Sequence, residues 1–310
     1  MAEQPGASVE LSGLLEAATA QLTEASIPSP RVDAELLAGH LLNASRGEVQ
    51  TKVLTGAQLS EEQAERFNTL VAERAQRIPL QHLTGTAPFR TLELRVGPGA
   101  FIPRPETETV VEAALERLRQ MRSAQMETAG VEPRLNAVDL GTGSGAIAAA
   151  LAAEFPQAEI HAVELSEEAA AWAELNFQNL PSGSAPVRLH QCDLREFPKQ
   201  VSEEFDVVVS NPPYIPEDMV PTEREVRDHD PELALYGGGR DGLEMPRAVI
   251  EAAKALLRPG GWFILEHAEV QAEALREICE TDPSLTDVET HQDLSGRPRS
   301  TSAVVKEYSA

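Results

Sequence analysis

Apolar positions recur at helical spacing through roughly the first quarter of the chain. Leu11, Leu14, Leu15, Ala18 and Leu22 form one such series and Val32, Leu36, Leu37 and Leu41 a second, with Ile27-Pro28-Ser29-Pro30 as the loop between them. Ser60-Glu61-Glu62-Gln63 is a capping-box pattern that opens a third helix, with Phe67, Leu70, Val71 and Ile78 on its apolar face. Residues 1–8 read as a frayed start, and residues 1–80 as a small helical domain ending near Pro79. The period then changes to two. Thr91-Leu92-Glu93-Leu94-Arg95-Val96 alternates polar and apolar as a half-buried strand does, Gly97-Pro98-Gly99 is a turn, and residues 81–103 are expected to form a β-hairpin linker. A helix comes next with Val110, Val111, Ala114, Leu115, Leu118 and Met121 on one face, and the polar segment 123–134 reads as a loop.

From about residue 135 short apolar runs alternate with helical patterns, the signature of an α/β domain, here 104–310. Ala137-Val138-Asp139-Leu140 runs into Gly141-Thr142-Gly143-Ser144-Gly145 and then the Ala-rich stretch Ala146 to Ala153, a strand, glycine-rich turn and helix. The next strand, Ala158 to Val163, ends at Glu164; Ser166 looks like the N-cap of the helix after it. A third, Val187 to Cys192, reaches Asp193 and Leu194. The fourth, Phe205-Asp206-Val207-Val208-Val209, stops abruptly at Ser210-Asn211-Pro212-Pro213-Tyr214. In an open parallel sheet all four ends fall on the edge where ligands bind. Gly237-Gly238-Gly239-Arg240-Asp241-Gly242 reads as a mobile loop, and a helix runs from Leu243 to Leu257. Trp262 to Glu266 is a fifth strand, Ala268 to Cys279 a helix, and Ala303-Val304-Val305 completes a sheet edge. There is no internal repeat.

Composition narrows the partners. The 310 residues carry 50 acidic against 26 basic side chains, a net charge of −24, and no run of Lys and Arg, which disfavours a nucleic-acid substrate. The two cysteines, Cys192 and Cys279, make no disulfide framework, and no Cys/His spacing suggests a metal site. Without a signal-like N-terminus or a long apolar run, the chain reads as a soluble cytoplasmic protein.

The chemistry turns on the fourth strand end. A strand followed by Pro-Pro can be a simple turn with Asn as turn former. Yet the prolines stiffen the loop, Asn211 offers both an acceptor and a donor, and Tyr214 a flat ring. Together they suit a planar group bearing NH2. Singly, Glu164 and Asp193 are ordinary capping or solvated acids; together, at strand ends after a glycine loop, they read as cofactor ligands, Glu164 for two ribose hydroxyls. Gly141, Gly143 and Ala146 also satisfy the dinucleotide fingerprint, so a nicotinamide dehydrogenase competes. Asp139 beside a pyrophosphate would be awkward, however, and no proton relay for hydride transfer is evident. An anion there suits the cationic S-adenosylmethionine.

Gly141-Thr142-Gly143-Ser144-Gly145 with Asn211-Pro212-Pro213-Tyr214 resembles the class I methyltransferases that act on planar amide or amine nitrogens. Gln81 to His267 is more specific: His82-Leu83-Thr84-Gly85, Phe101-Ile102-Pro103-Arg104-Pro105-Glu106-Thr107-Glu108, Gly238-Gly239-Arg240-Asp241-Gly242-Leu243 and Leu265-Glu266-His267 resemble the release factor glutamine methyltransferases. That resemblance implies a Rossmann-like, mostly parallel seven-stranded sheet and N5-methylation of the glutamine in the Gly-Gly-Gln motif of class I peptide chain release factors. It implies Asn211, Pro212 and Tyr214 as the catalytic residues, with Pro213 joining them in binding substrate. S-adenosylmethionine, leaving as S-adenosylhomocysteine, would lie against Asp139, Gly141, Thr142, Gly143, Ser144, Gly145, Glu164, Asp193, Leu194 and Asn211. It further implies no metal, a helical domain that docks the release factor, and a monomer without membrane or direct nucleic-acid partners. Arg104 and Glu106 are surface residues or a lid. An adenine-N6 nucleic-acid methyltransferase, sharing the Asn-Pro-Pro-Tyr motif, and a non-catalytic adaptor are the competing readings.

Overall fold

The computed structural model describes residues 8–130 and 134–307 and divides into two compact units, one of residues up to Thr86 together with Pro221–His229, the other of Ala87–Val220 and Asp230 onward. The expected frayed start therefore lies outside the described residues up to position 7; Ser8–Glu10 is strand β1. Helices α1 (Leu11–Glu24), α2 (Pro30–Leu42) and α3 (Arg46–Leu54) come next, then β2 (Gln58–Ser60), antiparallel to β1, then α4 (Glu61–Ala75) and α5 (Leu80–Thr84). The capping box at Ser60 and Gln63 forms as its spacing predicts. Leu11, Leu15, Leu22, Leu37, Phe67 and Val71 make the core of this unit.

α2 departs from its expected face. It buries Asp33 and Glu35, leaving Val32, Leu36 and Leu41 half-buried. The two acids are tolerated because each is paired: Asp33 accepts from Arg74 Nε at 2.8 Å, and Glu35 from Arg31, Arg46 and Gln50. Arg74 and Arg77 also hold Glu225, in the segment Pro221–His229 that joins this unit from far along the chain.

The hairpin is β3 (Thr86–Phe89) and β4 (Leu92–Arg95). Its turn residue Arg90 ties it to two helices, donating to Glu108 and Glu112 of α6 (Thr107–Ala129) and twice to Glu154 of α7 (Ala146–Glu154). The loop expected over 123–134 is helix as far as Ala129, with residues 131–133 outside the described ones. Polarity misled there: Ala, Gln, Met and Glu are strong helix formers, and the first breaker is Gly130, which closes the helix at φ 65°.

The remaining elements are β5 (Leu135–Leu140), β6 (Ala158–Glu164), α8 (Glu167–Gln178), β7 (Val187–Gln191), β8 (Phe205–Ser210), α9 (Arg224–His229), α10 (Glu232–Leu235), α11 (Glu244–Leu256), β9 (Leu257–Glu266), α12 (Ala272–Thr281), β10 (Leu285–Gln292) and β11 (Pro298–Val305). They build a seven-stranded sheet in the order β10-β11-β9-β8-β5-β6-β7, with β9, β8, β5, β6 and β7 parallel and β11 antiparallel to both its neighbours. The mostly parallel α/β fold is thus as expected. Apolar clusters cover both faces, one under α6 and α7, the other under α11 and α12, which is why the central strands are almost wholly buried and mostly apolar.

The C-terminal strand is a correction. β11 lies inside the sheet between β9 and β10, so the edge is β10, which the sequence pattern did not reveal. A register shift between Thr286 and Glu289, with Asp287 at φ 50°, breaks the alternation that would have marked it.

Candidate active site

Two adjacent strand ends create the site. β5 and β8 pair in parallel, and Ser210 Oγ at the end of β8 donates to the Leu140 carbonyl at the end of β5 at 2.6 Å. The glycine loop leaving β5 and the Asn-Pro-Pro-Tyr segment leaving β8 therefore start side by side.

Within the loop the three glycines have separate tasks. Gly141 (φ 76°) and Gly143 (φ 57°) need left-handed backbone, and a Cβ on either would meet nothing within 4 Å. Open space therefore lies beside the backbone at both positions. Gly145 instead faces the Phe177 ring, 2.7 Å from where a Cβ would stand, so it serves helix packing. Thr142 and Ser144 turn inward and are buried. Glu164 closes the loop from β6: one carboxylate oxygen accepts from Gly143 N at 2.8 Å and the other from Ser166 N at 2.8 Å. Each oxygen keeps a further lone pair for a hydroxyl donor.

Asp139 differs from expectation. It is fully buried beneath the loop, not presented to a ligand, and Oδ2 accepts from Thr142 Oγ1 at 2.5 Å and Ala148 N at 3.2 Å. Oδ1 has no hydrogen-bond partner among the described residues. Burial raises its pKa to about 7, the two hydrogen bonds opposing and the nearby Glu164 charge assisting. Asp139 shapes the loop from below. Asp193 is likewise occupied, by Arg195, whose hydrogen bonds hold its carboxyl below the usual range. Leu194 is buried in the core cluster with Val138, Val163 and Phe197.

Asn211 is half-buried, and its Nδ2 donates to Thr107 Oγ1 at 3.1 Å, so Oδ1 is the end left to accept from another group. Pro212 is buried; Pro213 and Tyr214 are half-buried. Burial raises the Tyr214 phenol, which stays protonated. The segment Gly237–Gly242, expected to be mobile, is packed on this backbone. A Cβ on Gly237 would stand 2.1 Å from the Gly242 carbonyl and 2.7 Å from the Pro213 carbonyl, and one on Gly242 would stand 2.2 Å from the Tyr214 carbonyl. Gln271 completes the clamp, its Nε2 donating to the carbonyls of Tyr214 and Asp241 at 2.7 and 2.8 Å.

Three residues of this site drew no functional reading in the sequence. Thr107 lies inside the Phe101–Glu108 block, Glu266 ends β9, and Gln271 precedes α12. Glu266 carried the clearest signal: an acid terminating the apolar run Trp262-Phe263-Ile264-Leu265. It is 3% exposed, and burial pushes its pKa up to about 7. Arg104 pairs with buried Asp230 at 2.7 Å and lies over the Phe101 ring, while Glu106 is exposed.

The comparisons agree with this architecture. The model of the family described as PrmC N-terminal domain matches residues 13–85, and that of a methyltransferase domain matches residues 132–304. The release factor glutamine methyltransferase of Streptomyces coelicolor is 46% identical over 91% of this chain and 93% of that protein. Those of Mycolicibacterium smegmatis (42% identical, 92% and 94% covered) and Bifidobacterium longum (39%, 93% and 97%) are similar over the same extent. With both family domains present, in order, and identity sustained over nine-tenths of its length, the chain belongs to the release factor glutamine methyltransferase family.

Proposed function

We propose that the chain transfers a methyl group from S-adenosylmethionine to the side-chain amide nitrogen, N5, of the glutamine in the Gly-Gly-Gln motif of class I peptide chain release factors. The observation that carries the reading is the hydrogen bond from Asn211 Nδ2 to Thr107, which commits Oδ1 to accepting. An amide nitrogen is a poor nucleophile because its lone pair is delocalised into the carbonyl. Asn211 Oδ1 and the Pro212 carbonyl accept its two N–H bonds and turn that lone pair towards the donor. As positive charge grows on the nitrogen those bonds strengthen, which favours the transition state over the ground state. Tyr214 packs against the amide plane, and Pro213 with the glycine clamp keeps the segment rigid.

The open space before Gly141 and Gly143 suits the phosphate-free donor, with Glu164 accepting its ribose hydroxyls. Bound there, S-adenosylmethionine supplies a methyl carbon activated by a sulfonium and leaves as S-adenosylhomocysteine. Gly141 to Gly145 line it, Thr142, Ser144 and Asp139 holding the loop's shape from beneath. Asp193 and Leu194 stand on the adenine side; Leu194, aliphatic and core-packed, offers contact without ring stacking. No metal is assigned a role.

The helical residues 1–80 dock the release factor, 81–103 link, and 104–310 carry the chemistry. We assign the protein to the cytoplasm, where its substrate works, as a monomer without membrane or direct nucleic-acid partners. Incubation with labelled donor and a purified release factor, followed by mass-spectrometric mapping, is expected to place one methyl group on the Gly-Gly-Gln glutamine. Label on adenine in a nucleic acid, with none on the protein, would overturn the reading.

A further inference from the structure

The segment that carries Asn211 and Tyr214 is held from two sides. At its start, Asn211 Nδ2 donates to Thr107 Oγ1 at 3.1 Å, and Thr107 opens α6. At its end, the backbone N–H groups of Tyr214 and Ile215 both donate to the Leu235 carbonyl of α10, at 3.2 and 2.8 Å, and Gly237 N returns a bond to the Ile215 carbonyl at 3.0 Å. The two holders arrive by different routes. Thr107 ends a strap of residues 101–106, its own N–H donating to the Arg104 carbonyl at 3.1 Å. α10 is four residues long and begins just after Asp230, where the chain re-enters this unit from the excursion Pro221–His229. One side-chain contact ties the holders to each other. Arg104 Nη2 donates to Asp230 Oδ2 at 2.7 Å, the arginine side chain being 29% exposed and the aspartate 1%. The guanidinium also lies over the Phe101 ring, 4.8 Å from its centroid, which restricts its swing.

We propose that Arg104 and Asp230 are a positioning pair that fixes the spacing of the two holders, and with it the placement of the Tyr214 ring relative to the Asn211 amide. The bonds form a closed circuit. It runs from Asn211 to Thr107, along the chain to Arg104, across to Asp230, along α10 to Leu235 and back to Tyr214. A charge-assisted bond to a carboxylate buried this deeply is strong and directional, so it is the stiff link of the circuit. Without it, α10 can shift while Asn211 stays on Thr107, and the two ends of the acceptor segment lose their common frame. The hydrogen bonds of Gly143 and Glu164 run to each other and to Ser166, outside the circuit, so the donor site keeps its shape when the pair is cut. The catalytic consequence rests on the proposed reaction; the placement of Tyr214 does not.

Removing Arg104 alone would strand a buried carboxylate and endanger the fold. The test therefore uses Arg104→Met/Asp230→Asn, which breaks the bond and leaves no unpaired charge, and Asp230→Asn alone, whose arginine can turn to water. Labelled with 3-fluorotyrosine, the chain's three tyrosines give three ¹⁹F resonances, and that of Tyr214 is the one missing from Tyr214→Phe. In the isolated protein this resonance should move in both variants, further in the double one, and hold its place in Arg104→Lys, which keeps a charged donor to Asp230. With a release factor and saturating donor, the double variant should lose about ten- to a hundredfold in kcat, the scale of a small misplacement of reacting groups. Calorimetry should find its donor Kd unchanged, and Arg104→Lys should retain most of the turnover. A Tyr214 resonance unmoved in either folded variant, full kcat in the double variant, or a loss of donor affinity matching the loss of turnover would overturn the proposal. A wild type that methylates no release factor would refute the proposed function while leaving the resonance measurement to decide the role of the pair.

Discussion

At the scale of single residues, the two ends of the Asn211 amide have different duties. The nitrogen is spent on Thr107, which in the proposed reaction leaves the oxygen to accept from substrate. Asn211→Ala removes the acceptor and leaves the glycine loop and Glu164 untouched. It is expected to lower methyl transfer by at least about a hundredfold, the usual cost of deleting a preorganised transition-state partner. Calorimetry should show donor binding close to wild type, and a tritiated-methyl assay on the same preparation the loss of turnover. Activity near that of the wild type would remove Asn211 from the mechanism. Asp139 and Asp193 show where residue-level reading of the sequence reached its limit. Position at a strand end was legible; the direction of each carboxylate was not, because it depends on Thr142, Ala148 and Arg195, partners that no spacing rule identifies.

At the scale of elements, the site depends on backbone meeting backbone. The Gly237–Gly242 segment rests against the carbonyls of Pro213 and Tyr214 so closely that no Cβ fits at Gly237 or Gly242. Gly242→Ala must also adopt φ 68°, which costs an L-residue about 1 kcal/mol before any clash is counted. The variant is expected to melt lower and to lose kcat with little change in donor Kd, since the displaced residue is Tyr214; unaltered turnover would show that the packing has no bearing on catalysis. Glycine spacing pointed to a loop here, but it could not distinguish a glycine that gives freedom from one that permits contact. The parallel strands were legible because β5, β6 and β8 are almost wholly buried and centre on short apolar runs such as Ala137-Val138 and Val207-Val208-Val209. β10 was not, its bulge at Asp287 having disrupted the period.

At the scale of the whole molecule, buried acids tie folding to pH. Asp139 has a folded pKa of about 7, against about 3.9 for an exposed aspartate. Folding therefore takes up a proton between these values, and stability is lost as pH rises through that window, the penalty being complete above it. Glu266 acts in the same sense, whereas His161, lowered by burial to about 4, acts in the opposite one. The difference between a variant and its parent isolates one group. Asp139→Asn should gain melting temperature relative to wild type progressively from about pH 4 to about pH 7, the range spanned by those two values; a gain independent of pH would contradict the burial of a titrating carboxyl. The path of the chain has a consequence of another kind. Because Pro221–His229 belongs to the helical unit and supplies Glu225 to Arg74 and Arg77, that unit is not a contiguous stretch of gene. A recombination that transplanted only residues 1–86 would leave Arg77 without Glu225 and Arg74 with Asp33 alone, so descendants must inherit this internal segment together with the first 86 residues or re-evolve the pairing.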